Sequence, residues 1–173
     1  MAETPLAAPA PDLVIRPATA ADLPGVLALY AQPDFDAGDV LPLPQAEALL
    51  KKFARYPDYT LHVACENDHV VGTFALLVMD NIGHRGAPSA IVEDVAVDPA
   101  RQGTGIGAAM MRFALARAAE KGCYKLMLSS NARRAAAHAF YEGLGFERHG
   151  YSFRVAVVPA PVDQDARTAE TSA

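Results

Sequence analysis

The sequence predicts an α/β protein, a single domain with a mixed central β-sheet flanked by about four helices. Three observations carry this. Strand-like and helix-like patterns follow one another in the order β-α-α-β-β-β-α-β-α-β-β. The stretch Ser89 to Gly122 holds a buried-strand pattern, a stop, a glycine turn and a helix in direct succession. The chain has 173 residues, 51% apolar and 20% charged, enough for one domain with a real core.

The elements read in order as follows. Residues 1–12 are rich in Ala and Pro and read as a disordered tail. The domain spans 13–158, and 159–173 read as a flexible polar tail. Leu13 to Arg16 is a short strand ended by Pro17. Thr19-Ala20-Ala21-Asp22 has the form of a capped helix start, with the helix running to Tyr30. Residues 32–43 are a loop holding Asp34, Asp36 and Asp39, and a second helix spans Pro44 to Arg55. Thr60–Glu66 and Val70–Met79 are strands around an Asn67-Asp68 hairpin. A loop at 80–88 carries His84 and Arg85. After the Ser89–Gly122 stretch come a strand at Lys125–Ser129 and a helix at Arg133–Gly143. Phe146–Glu147 and Ser152–Val158 are expected to close the sheet.

The most informative chemistry lies in Ser89–Gly122. Ala90–Val97 is the strand, and Asp98-Pro99 stops it because Pro has no N–H for a ladder. Arg101-Gln102-Gly103-Thr104-Gly105-Ile106-Gly107 is the turn. Ile106, Met110 and Phe113 then recur at helical spacing, and Gly122 stands where a helix-ending glycine belongs. This order converges unpaired backbone N–H groups at the positive end of a helix dipole, which suits a phosphate or diphosphate. Three glycine-turn motifs compete. A P-loop requires Gly-Lys-Ser/Thr, and Gly107 is followed by Ala108. The dinucleotide fingerprint fits loosely as Gly103-x-Gly105-x-x-Ala108, but no acid follows Lys125–Leu128 to meet a ribose. The third reading is Gln102-x-x-Gly105-x-Gly107.

In this third form the stretch resembles the acetyl-CoA motif of the GNAT N-acetyltransferase superfamily. Asn131 and the run Ala139-Phe140-Tyr141-Glu142-x-Leu144-Gly145-Phe146 stand downstream in that family's order. Ile91-Val92-Glu93-Asp94 and Gly122-Cys123-Tyr124-Lys125 are locally similar to glucosamine-6-phosphate N-acetyltransferases, whereas Ser129-Ser130-Asn131-Ala132-Arg133-Arg134 departs from them. The resemblance implies two splayed parallel central strands, Ala90–Val97 and Lys125–Ser129, with acetyl-CoA as acetyl donor between them.

It also implies roles. The backbone N–H groups of Gln102, Gly103, Thr104, Gly105, Ile106, Gly107 and Ala108 would grip the cofactor diphosphate. Val95, Ala96 and Val97 would align its pantetheine arm, and Asn131 would bond it. Arg101 and Arg133 would reach its phosphates. A primary amine is mostly protonated at pH 7, so a carboxylate or a water it holds must take the proton. Glu93 is the first candidate and Asp94 the neighbour; a regular strand points them to opposite faces, and a bulge would alter that. Tyr141 is the candidate acid for the leaving sulfur.

The bland readings are a half-exposed or paired Glu93, a core aromatic for Tyr141, and a turn residue for Asn131. The acidic loop is a solvated loop or the mouth of a site that attracts cationic amines; His84 and Arg85 are readers of an acidic group or have no role.

Net charge is −5 with no basic run, which gives nucleic acid no electrostatic footprint. No apolar run is long enough to span a bilayer. Cys65, Cys123 and the scattered His62, His69 and His138 form no disulfide framework or metal-ligand spacing, so no metal is expected and a reducing cytoplasm is the default. The expected function is acetyl transfer from acetyl-CoA to a small-molecule primary amine, by direct attack in a ternary complex. The alternatives are a protein or peptide N-acetyltransferase and a non-catalytic acyl-CoA sensor. A homodimer is the family-level expectation, through the Ser152–Val158 strand.

Overall fold

The structure, a computed structural model, describes residues 12–156. The expected tails therefore fall almost wholly outside the described residues. Five strands form one sheet in the order β1-β2-β3-β4-β5: Val14–Pro17, Tyr59–Glu66, His69–Met79, Ser89–Val97 and Leu126–Leu128. The first four run antiparallel to their neighbours, and β5 is parallel to β4. Four α-helices cover the sheet: α1 Leu23–Tyr30, α2 Leu43–Phe53, α3 Ile106–Glu120 and α4 Ala135–Gly143. This is the mixed α/β architecture expected from the sequence.

Period-2 alternation assigns each face of the sheet. On β2, Leu61, Val63 and Cys65 face α1 and α2, where they meet Leu23, Val26 and Ala46. Ala64 faces the other way, with Phe74 and Leu76 of β3, onto α3. There α3 buries Ile106, Met110, Met111, Ala114 and Ala118, one stripe at helical spacing. His62 shares this face and is buried, stacked on Phe74 with ring centroids 5.0 Å apart. Asn67 and Asp68 turn the β2–β3 hairpin with φ of 47° and 63°, the left-handed pair a two-residue turn demands.

The last two expected strands are absent. Residues 144–156 contain no strand, so the expectations at Phe146–Glu147 and Ser152–Val158 are corrected, residues 157 and 158 lying outside the described part. Phe146 instead closes α4, its N–H donating to the Tyr141 carbonyl at 3.1 Å. Tyr151, Phe153 and Val155 keep the alternation of a strand but are 92%, 91% and 85% exposed. The edge strand β5 is only three residues long, so it offers few rungs to pair with.

Two features of β4 set up the site. Its ladder with β5 has three rungs, ending at Val92↔Leu128. Beyond Val92 no strand lies beside that edge, and the two parallel strands part. On its other edge Glu93 pairs with Ala75 and Ala96 with Thr73, so Asp94 and Val95 together oppose Phe74. That is a β-bulge, with Asp94 at φ 54°.

Candidate active site

A cavity of about 170 Å³ opens where β4 and β5 part. Val92, Glu93, Asp94 and Val95 form one wall, and Leu128, Ser129 and Ser130 another. Arg134 and Tyr141 of the α4 region and Phe35 of the α1–α2 loop complete it. The bulge explains why both carboxylates are there: one extra residue cancels the alternation that would send Asp94 to the far face.

The electrostatics follow from burial. Burial pushes Glu93 above the ordinary carboxylate range, and the charge of Asp94 adds to it. Asp94 is raised by burial and then by the charge of Asp36. Burial also raises Tyr141, against a smaller lowering by Arg134. Tyr141 is wedged between Phe140 and Phe146, at centroid distances of 5.1 and 5.7 Å. Tyr30 stacks on Phe35 at 4.6 Å, which fixes the loop against this wall.

The glycine turn lies one step along the chain. Asp98 Oδ1 accepts from the Ala100 N–H at 2.9 Å and caps a short 3₁₀ turn at Pro99–Arg101. Gly105 then caps α3 with φ of 91°, a left-handed conformation that a side chain would strain. The Gln102 and Thr104 amides reach Pro99 and Arg101 carbonyls at 3.5 and 3.4 Å, both long. Those of Gly103, Gly105, Ile106, Gly107 and Ala108 have no backbone partner among the described residues. The open row is therefore free to bond an anion. A Cβ on Gly107 would lie 3.1 Å from Phe140 Cζ, so the start of α3 is packed directly on α4.

Other candidates stand elsewhere. Ala96 is buried in the β3–β4 ladder, and the Val97 carbonyl accepts from Gln32 Nε2 at 3.3 Å. Asn131 does not line the cavity; its Oδ1 accepts from the Arg133 N–H at 3.0 Å, an Asx turn leading into α4. Arg101 pairs with Glu66, while its Nε and Glu66 Oε1 are buried with no partner among the described residues. Of the acidic loop, Asp36 acts on Asp94. His84 stacks on Tyr124 at 4.0 Å, beside the N-terminal end of β5 and away from the cavity. Phe35 and Ser130 were not singled out from the sequence. The one available hint was that Phe35 is the single aromatic between Tyr30 and Phe53.

Among the described residues no helix is long and apolar enough to cross a membrane, and no group of His, Cys, Asp or Glu is arranged to hold a metal. Cys65 and Cys123 are free thiols.

An antiparallel meander that ends in a diverging parallel pair, joined through a glycine turn and a helix, defines a class of α/β fold seen in solved acetyltransferase structures. One, from Agrobacterium tumefaciens str. C58 and assigned as an acetyltransferase, is 34% identical, with a TM-score of 0.78 over 83% of this chain and 99% of its own. The model of the Acetyltransferase (GNAT) family matches residues 26–146, and the chain belongs to that family. Among curated relatives, glucosamine 6-phosphate N-acetyltransferase of Trypanosoma brucei brucei is 34% identical over 86 residues, 50% of this chain and 56% of its own length. Mycothiol acetyltransferase of Kocuria rhizophila is 44% identical over 54 residues, 31% of this chain and 18% of its own length.

Proposed function

We propose that this protein transfers an acetyl group from acetyl-CoA to the primary amine of a small molecule, by direct attack in a ternary complex. One observation carries the reading. Two carboxylates and a tyrosine meet in the gap between the parallel strands, and the same β4 strand leads into a row of free amides at the start of α3. The open amides of 103 and 105–108 fit a diphosphate, and the three-rung ladder leaves room for an extended arm.

Acetyl-CoA supplies the acetyl group as a thioester. In this reading the amides of Gln102 to Ala108 bind its diphosphate, and the Val95–Val97 backbone and Asn131 orient its arm. Glu93 or Asp94 takes the ammonium proton, directly or through a water. Both carboxylates are exposed, yet partial desolvation raises each of them, so each holds a proton better than it would in open water, as this step requires. Tyr141 stays protonated at neutral pH and gives its proton to the departing sulfur. The reading places the enzyme in the cytoplasm with both thiols free. It also makes the chain a homodimer through the segment 152–158, whose described part leaves Phe153 and Val155 uncovered; a monomer mass by light scattering removes that part.

The test joins calorimetric titration of acetyl-CoA to free-thiol release with a panel of amines. Micromolar binding and release with at least one small amine are expected. Binding without release for any amine overturns the enzyme reading in favour of an acyl-CoA sensor.

A further inference from the structure

The cavity contains one cation. Arg134 lines it, facing a wall that carries Glu93 and Asp94. Arg16, Arg101, Arg117 and Arg148 each pair with a carboxylate. Arg134 is exposed and, like Arg55, Arg85, Arg112, Arg133 and Arg154, pairs with no carboxylate among the described residues; of these it alone lines the cavity. Its position is nevertheless held. The Arg134 N–H donates to the Asn131 carbonyl at 2.9 Å, and the same carbonyl lies 2.9 Å from His138 Nε2. The Arg134 carbonyl accepts from the His138 N–H at 3.0 Å.

Ser130 adds a second, independent observation. Ser130 lines the same cavity, and its hydroxyl is buried with no partner among the described residues. A buried hydroxyl without a partner is costly, and a ligand atom that bonds it removes the cost. The cavity is thus dipolar. Its β4 wall carries acids, reinforced by Asp36, and suits an ammonium group. Its other side offers an unpaired guanidinium suited to an anion, beside a serine whose buried hydroxyl lacks a partner.

We propose that the acceptor is an amine that also bears a carboxylate or phosphate, and that Arg134, with Ser130 beside it, reads this anionic group. The proposal rests on the N-acetyltransferase reading and narrows its substrate. A neutral amine leaves both donors unanswered, and a polyamine sets a second cation against Arg134.

The experiment compares kcat/KM, with saturating acetyl-CoA, within two matched pairs: phosphoethanolamine against ethanolamine, and β-alanine against 3-aminopropanol. In the wild type the anionic member of at least one pair is favoured tenfold or more. Arg134→Gln reduces that ratio by about 10- to 100-fold, the worth of one charge-assisted contact. Ser130→Ala reduces it less. Arg134→Lys restores a phosphate preference more than a carboxylate preference, because Lys is a point charge without the planar fork. Equal use of both members of each pair overturns the proposal and leaves the enzyme reading standing. So does an Arg134→Gln variant that slows both members equally. Acetyl-CoA binding with no thiol release from any amine overturns the enzyme reading and this proposal with it.

Discussion

Tyr141 holds its proton because it is packed between two phenylalanines and poorly solvated, and the nearby Arg134 offsets this only in part. That is the state a donor to a leaving sulfur needs. Tyr141→Phe keeps the ring and deletes the proton, so kcat is expected to fall about 100-fold or more, with the calorimetric affinity for acetyl-CoA nearly unchanged. An unaltered kcat removes Tyr141 as the acid, provided the chemical step limits turnover. The resemblance to the GNAT family implied a place for Glu93 and Tyr141 in one site. Which way Asp94 points was not legible in the sequence. Alternation sends it away from Glu93, and the bulge arises from how β4 fits against Phe74 of β3, a tertiary event. Ser130 was silent for a similar reason: only the parting of β4 and β5 gives its hydroxyl a cavity to face.

At the scale of elements, the turn before α3 concentrates the binding potential. Its open amides depend on Gly105 at φ 91°. Gly105→Val strains this cap and sets a branched side chain where a ligand must approach. Calorimetry is expected to show acetyl-CoA binding lost, while the circular dichroism spectrum keeps its helical signal; retained micromolar affinity counts against a diphosphate site at this turn. Strands β1 to β5 and all four helices were legible to within a few residues, since apolar spacing and Gly or Pro stops mark them. The segment 151–156 shows where such reading ends. Tyr151, Phe153 and Val155 alternate as a strand should, yet alternation states a capacity to pair and supplies no partner.

Across the whole molecule, the fold encloses one imidazole between sheet and helix. His62 is pushed down to about 4, chiefly by burial, against the bond of its Nδ1 with the Thr60 carbonyl. The folded state then binds fewer protons than the unfolded chain between an ordinary histidine value of about 6.5 and about 4. Stability from this group is complete above that window and is lost as pH falls through it. The loss amounts to about 3 kcal/mol. Urea unfolding at pH 7 and pH 4.5 measures it, and His62→Phe, which keeps an aromatic ring against Phe74 and Phe113, is expected to flatten the slope. An equal slope in both proteins assigns the pH dependence to other groups. This burial was not readable from one sequence, where His62 is only a polar residue in an apolar strand. The bulge on β4 has a consequence of another order. Excising the single codon for Asp94 would remove the extra residue, so that Val95 alone opposes Phe74 while Ala96 and Val97 keep Thr73 and Gly72 as partners. A mutational scan that includes deletions should therefore find folding kept at that codon and lost at its neighbours in β4, where a missing residue does shift the register.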